Sequence, residues 1–270
     1  MVDSTVLLVV RILAGAGAMA MICSPSILMR RIHKQKHVGV ASIIPLVMLL
    51  ANSHVWMMYG YMGEFWFPIF TSYLFGDVAS LSYIAVYWRY STERRYIASI
   101  FGFLLLFVAA TTTYAIVGGL GYTGQTRSAV GSTVGYIGDV TAVCLYVAPM
   151  EKLLQVLKFK SAAFINSHMV IAGLANNWLW VVYGILTTNW IIIIPNSLFV
   201  LINTSTLVLY MVFNPKTHPL PQTFVADSNT TEAPNEEKIG LPEIVIDNVA
   251  AHVPTSAYEA MQSPSTSSAS

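Results

Sequence analysis

An eleven-residue phrase occurs twice in this chain, as LANSHVWMMYG at 50–60 and as LANNWLWVVYG at 174–184. The shared frame is L-A-N-x-x-x-W-x-x-Y-G. The copies lie 124 residues apart, and the same offset carries Pro25 onto Pro149, Lys34 onto Lys158 and Lys36 onto Lys160. Self-similarity at a long, fixed period marks a duplicated unit and restricts the fold to architectures that can be built twice. On a helix, Asn52, Trp56 and Tyr59 stand at i, i+4 and i+7, so each copy presents an amide, an indole and a phenol on one face. The rest of each segment is apolar, which leaves that polar face to be explained.

Composition decides the solvent. Charged residues make up 10% of the 270, against about 25% in soluble domains, and mean hydropathy is +0.62. Seven of the 13 acids fall after residue 213, so the first 213 residues are poorer in charge still. This pattern predicts an all-α membrane protein with a polar tail. A net charge of +1 gives no footprint for nucleic acid. Cys23 and Cys144 both lie in apolar runs, and their spacing supports no disulfide assignment.

Seven stretches reach the length of about 20 apolar residues that a spanning helix needs. They lie near 6–29, 40–61, 66–88, 97–118, 129–150, 165–186 and 189–213. The first contains Arg11 and lacks a basic n-region, so it reads as a retained helix. Basic residues crowd alternate connections: Arg30, Arg31, Lys34 and Lys36; Arg89, Arg94 and Arg95; Lys152, Lys158 and Lys160. The positive-inside rule then places the N-terminus outside and the C-terminus in the cytoplasm. Helices 1–3 resemble helices 5–7, and a single helix between them restores the first orientation. The prediction is two parallel three-helix repeats joined by a linker helix, 3+1+3. The first repeat spans 1–90, the linker helix and following loop 91–125, the second repeat 126–213, and a disordered cytoplasmic tail 214–270. Parallel repeats about an axis along the membrane normal are a transporter arrangement, with the site near the midplane between the halves.

Polar groups at membrane depth face a cavity or another helix. At 1.5 Å per residue, Asn176 lies roughly 12–15 Å and Asn196 roughly 10–12 Å from the outer ends of their helices, with Asn52 the repeat partner of Asn176. Amides both donate and accept, and an indole face suits the C–H face of a sugar ring. Asn52, Trp56, Asn176, Trp180 and Asn196 are therefore candidates for binding a neutral polyol. The competing reading makes the amides interhelical glue and the indoles interfacial anchors. Pro25, Pro45 and Pro149 each interrupt or end a helix near the cytoplasmic side and are hinge candidates, or ordinary packed kinks. Asp77 and Asp139 are the intramembrane carboxylates, each a possible proton site or a structural acid. No zinc-ligand spacing, P-loop, nucleophile elbow or dinucleotide fingerprint appears, so neither an enzyme nor a cofactor is expected.

These residues, taken together with the loop after Pro25, Ala148-Pro149 followed by the Lys158–Ser161 run, and Ile194-Pro195-Asn196, resemble the SWEET family of sugar transporters over residues 6–213. The resemblance implies a passive, bidirectional uniporter of mono- or disaccharides, working by alternating access as a homo-oligomer; the expected location is the plasma membrane, with an internal membrane as the alternative. It matches Asn196 to the family's binding asparagine in the last helix. It matches Trp56 and Trp180, with Asn52 and Asn176 a turn earlier, to pocket positions, and Pro25, Pro45 and Pro149 to three of four hinge prolines. Tyr73 replaces the asparagine expected in the third helix, Asn166 replaces the fourth proline, and Phe199 stands where glycine is common. Met21 and Leu145 would set the pocket size, and these bulky residues favour a monosaccharide.

Three alternatives stay in view. Asp77 or Asp139 would serve a proton-coupled transporter of sugar or amino acid. A heptahelical receptor would share the seven spans but does not predict the repeat. A lipid-handling or scaffold protein would show no solute flux.

Overall fold

The computed structural model describes residues 4–218, Val40 and Phe164 excepted. The chain forms eight helices over this range: α1 (Ser4–Cys23), α2 (Ser26–Gln35), α3 (Ile44–Met62), α4 (Thr71–Tyr90), α5 (Arg94–Gly119), α6 (Arg127–Phe159), α7 (Ser167–Leu186) and α8 (Trp190–Val212). The predicted first span, 6–29, is split at Ser24-Pro25, and the chain resumes as the short amphipathic α2 that carries Arg30, Arg31 and Lys34. Proline has no N–H to continue the ladder, so the break falls where the backbone donor is lost. Pro45 does not interrupt a helix. It stands in the first turn of α3, where its missing N–H costs nothing. Pro149 lies inside α6, which runs on to Phe159, well beyond the predicted end at 150.

Six helical stretches are long and apolar enough to cross a membrane, counting Ser4–Gln35 as one. The second predicted span, 40–61, which is α3, falls outside that set because Asn52, Ser53 and His54 interrupt its apolar run. Its position explains this. Twelve of its 19 residues are buried against other helices, so little of it has to satisfy lipid. The outward faces carry the apolar load instead, with Phe103, Leu106, Ile194 and Leu201 each well exposed. The result is a multi-pass membrane protein whose polar groups lie inward.

Packing follows the duplication. In the first unit α4 lies against α1 and α3; in the second, α8 lies against α6 and α7. Two repeat-related interfaces join the units, α3 on α6 and α1 on α7. The repeat phrase ends in glycine because the next element crosses there. A Cβ on Gly60 would stand 2.8 Å from the backbone N of Phe70, and one on Gly184 would stand 2.7 Å from Ile193 Cγ1. The copies differ just beyond this point. A wide turn over Trp66–Phe70, with Phe70 N bonded to Phe65 O, precedes α4, whereas α8 starts directly. A five-residue hydrogen-bonded turn holds one more residue than an α-turn. It absorbs the residue by which the offset shrinks from 124 to 123, since Tyr73 and Asn196 are the counterparts further on.

The first residues of the predicted disordered tail are ordered. Phe213 O accepts from Ala162 N at 2.9 Å, and His218 O accepts from Ser161 Oγ at 2.6 Å, so 214–218 fold back on the turn after α6. The remainder of the predicted tail, from 219, lies outside the described residues. Cys23 and Cys144 are free thiols.

Candidate functional site

Between the two units lies a cavity of about 490 Å³. Asn52, Trp56, Tyr73, Asn176, Trp180 and Asn196 all line it, as do Met21, Leu145, Pro25, Pro45, Pro149 and Asn166. The sequence spacing thus brings every proposed pocket and hinge position to one space. Asp77 and Asp139 are not among its lining residues.

An aromatic layer forms one end of the cavity. Tyr73 lies between the two repeat-related indoles, its ring centroid 6.0 Å from Trp56 at 23° and 6.2 Å from Trp180 at 31°. Each indole meets the phenol of its own motif edge-on, Trp56 with Tyr59 at 5.4 Å and Trp180 with Tyr183 at 5.7 Å. Offset and edge-to-face geometries are the favoured ones for aromatic pairs. Both indoles are almost fully buried, so they are not membrane-surface anchors.

Beyond this layer the units are tied directly. Tyr59 OH donates to Asn189 Oδ1 at 3.0 Å or accepts from Asn189 Nδ2 at 2.7 Å. Arg127, at the start of α6, donates to the carbonyls of Met62 and Tyr61 at the end of α3, at 3.1 and 2.9 Å. The last carbonyls of a helix have no partner within it, and a cation there also meets the favourable end of the helix dipole. The separation of 130 residues between Tyr59 and Asn189 leaves no sign of this tie in the sequence. The structure joins them at the end of the units away from the basic connections. Replacing Asn189 with alanine removes the tie, and a cysteine placed in the aromatic layer should then react faster with a membrane-impermeant thiol reagent added outside. An unchanged labelling rate would show that the tie does not hold that side closed.

The two repeat-related amides have different surroundings. Thr141 Oγ1 on α6 stands 3.1 Å from Asn52 Oδ1, bridging the units. At the equivalent place beside Asn176 the chain has Gly17, whose Cβ would sit only 2.7 Å from Asn176 Oδ1. That buried oxygen has no partner among the described residues. Asn196 donates one N–H to Ile192 O at 2.8 Å and keeps its oxygen and second N–H for other use.

The carboxylates sit elsewhere. Asp77 Oδ2 on α4 is 2.9 Å from His54 Nδ1 on α3, and His54 Nε2 is 2.7 Å from Thr112 Oγ1 on α5. A nitrogen–oxygen contact of that length holds one proton between them whichever group owns it. His54 shares no metal-ligand spacing with another histidine in the sequence; its partner is in the neighbouring helix. Asp139 has a buried Oδ1 with no partner among the described residues.

Three wall residues were not anticipated. Tyr146, Asn177 and Asn203 line the same cavity. Asn177 Nδ2 donates to Tyr146 OH, and the Tyr146 ring lies flat on Phe199, centroids 3.7 Å apart at 4°.

Duplicated helical units around a cavity lined by amides and indoles define a multi-pass membrane protein built to surround a solute. Comparison with known proteins gives the family. The model of a family described as sugar efflux transporters for intercellular exchange matches residues 9–95 and again 132–218, one match per unit. Bidirectional sugar transporter SWEET4 of Oryza sativa subsp. indica is 26% identical over 248 residues, covering 90% of this chain and 91% of the relative. Sugar transporter SWEET1 of Drosophila pseudoobscura pseudoobscura is 24% identical, covering 74% of this chain and 83% of the relative. The solved structure of a eukaryotic SWEET transporter superposes with a TM-score of 0.67 at 18% identity, covering 77% of this chain and 96% of that one. The chain belongs to the SWEET family.

Proposed function

We propose that this protein is a passive, bidirectional sugar carrier that exchanges mono- or disaccharides across a membrane by alternating access between its two three-helix units. The observation that carries the reading is the cavity itself. It combines two buried indoles with amides, and no carboxylate lines it among the described residues. Such a wall suits a neutral, hydroxyl-rich ring and offers little to an amino acid or a metal ion. Family membership and the names of the relatives support the same substrate class.

In this reading Asn196, Asn176 and Asn52 hydrogen-bond the sugar, Trp56, Trp180 and Tyr73 cover its ring faces, and Met21 and Leu145 limit its size. Pro25, Pro45 and Pro149, at the end of the cavity nearer the basic connections, mark where the helices bend as access changes sides. The units are 1–90 and 126–213, with 91–125 between them. The N-terminus faces outward, the plasma membrane is the site of action, and the protein assembles as a homo-oligomer.

The test is labelled glucose and sucrose flux into proteoliposomes, with and without an imposed proton gradient. Equilibration to the outside concentration at the same rate in both conditions is expected, because Asp77 is engaged by His54 away from the cavity. Accumulation above equilibrium that follows the proton gradient would overturn the passive mechanism and give Asp77 or Asp139 a coupling role.

A further inference from the structure

At the end of the first unit that carries the basic connections, three side chains close on one phenol. Tyr90, the last residue of α4, has its hydroxyl 2.9 Å from His33 Nδ1 and accepts from Lys36 Nζ at 3.4 Å. The same ammonium stands 5.2 Å from the centre of the Tyr90 ring, and the Arg89 guanidinium 5.7 Å from it. The His33 ring meets it edge-on at 5.6 Å. His33, Lys36 and Arg89 are exposed. The floor beneath them is fixed, because Ile32 of α2 and Ile84 and Tyr87 of α4 share one buried apolar cluster.

A ring face attracts a cation, but two cations held to one ring repel each other. No carboxylate relieves this. Among the described residues the only ion pair is His54–Asp77, so Lys36 and Arg89 are matched with no acid. Glu93, the acid nearest to Tyr90 in the sequence, makes no pair either.

The repeat gives an internal control. Lys36 and Lys160 end α2 and α6 in the left-handed conformation, at φ 61° and 52°. Lys160 lies over Phe213 at 5.3 Å, as Lys36 lies over Tyr90. With the offset of 124 before the wide turn and 123 after it, His33, Arg89 and Tyr90 correspond to Leu157, Val212 and Phe213. The second unit therefore makes the lysine-on-ring contact with apolar residues at those three positions. The imidazole, the guanidinium and the phenol hydroxyl are polar additions to one place in the first unit, and packing does not call for them.

An anion with several acceptor oxygens completes such a cluster. A phosphomonoester has three and carries close to two charges, which suits a lysine and an arginine with an imidazole beside them. The membrane supplies one. In the orientation given above these residues lie on the cytoplasmic side, whose leaflet holds the anionic lipids, and basic side chains on an amphipathic helix next to a span attract their headgroups. Helix α2 is of this kind, with Met29 and Ile32 buried and Arg30, His33 and Lys34 exposed. Ile27 at 74% exposure and Trp88 at 37% put apolar surface on the same two helices, as contact with acyl chains and the interface requires.

We propose that His33, Lys36, Arg89 and Tyr90 form a binding site for an anionic phospholipid of the cytoplasmic leaflet whose headgroup ends in a phosphomonoester. None of the four lines the solute cavity, so the proposal is independent of the solute that the cavity holds.

The experiment is equilibrium binding of short-chain lipids to the full-length protein in detergent. The probes are dioctanoyl phosphatidic acid, dioctanoyl phosphatidylserine, dioctanoyl phosphatidylcholine and inorganic phosphate. Wild type binds phosphatidic acid at least about 10-fold more tightly than the other three. Arg89→Val weakens phosphatidic acid about 10-fold, the equivalent of one charge-assisted hydrogen bond, and His33→Leu weakens it about 3-fold. Both variants carry the second unit's own residue, and unfolding midpoints close to wild type show them folded; if Arg89→Val lowers its midpoint, His33→Leu decides. Lys158→Gln removes the same charge from the other unit's basic connection and changes phosphatidic acid binding less than about 2-fold. Equal losses in Arg89→Val and Lys158→Gln, or unchanged binding in His33→Leu, would overturn the site. Phosphatidylserine or phosphatidylcholine held as tightly as phosphatidic acid would overturn the phosphomonoester, and inorganic phosphate held as tightly would overturn the lipid.

Discussion

Asn196→Leu abolishes saturable sugar exchange, by at least about 100-fold, in a protein that remains folded. The two halves of that expectation have separate physical grounds. The side chain lines the cavity, and its one internal hydrogen bond returns to Ile192 in its own helix. Removing it breaks no hydrogen bond between helices, and leucine keeps the same branched shape with more bulk. What disappears is an acceptor and a donor that face the substrate. A site built to hydrogen-bond hydroxyls discriminates strongly when such a group is lost, and two bonds of about 1.5 kcal/mol each amount to about 100-fold. Counterflow of labelled glucose in proteoliposomes measures the loss, and a thermal unfolding midpoint in detergent checks the fold. Wild-type exchange rates in this variant would remove Asn196 from the site.

Gly60→Ala destabilises the protein by about 3 kcal/mol, whereas the same change at Gly184 costs about 2 kcal/mol. The two glycines end the same repeat phrase, so sequence alone gives no reason to rank them. Their surroundings do. The new methyl at 60 meets the backbone N and Cα of Phe70, at 2.8 and 3.0 Å, and backbone cannot rotate away. The methyl at 184 meets Ile193 Cγ1 first, a side-chain atom next to a stiff β-branch point that yields only by moving the whole side chain, and then backbone at 3.3 Å. Unfolding midpoints of the two variants should therefore separate clearly. Equal shifts would show that the turn at Trp66–Phe70 yields more readily than its packing implies.

The duplication made most of the site readable before any coordinates. It put an amide and an indole at matching depths in α3 and α7, and the structure gathers both pairs, with Tyr73 and Asn196, around one cavity. The residues that escaped are those whose counterpart in the other copy is of a different type. Asn177 stands next to a repeated asparagine, at a position the shared frame leaves open. Asn203 lay in an apolar run, though its spacing of seven from Asn196 was a usable sign of a shared face. The His54–Asp77 pair needed knowledge of which antiparallel neighbours meet at the same level, and a distance counted along the chain does not carry that. Helix ends were misjudged at prolines, because a proline can equally start a helix, as Pro45 does, or be carried inside one, as Pro149 is.

The reach of His54 to both Asp77 and Thr112 settles a question of ownership that duplication leaves open. A chain of two equal units plus one unmatched helix has to attach the odd member somewhere. A polar contact between helices has little competition from water at this depth, and here α5 is fastened through Thr112 to the α3–α4 pair. The molecule is accordingly a balance with unequal arms, with α1–α5 on one side of the solute space and α6–α8 on the other.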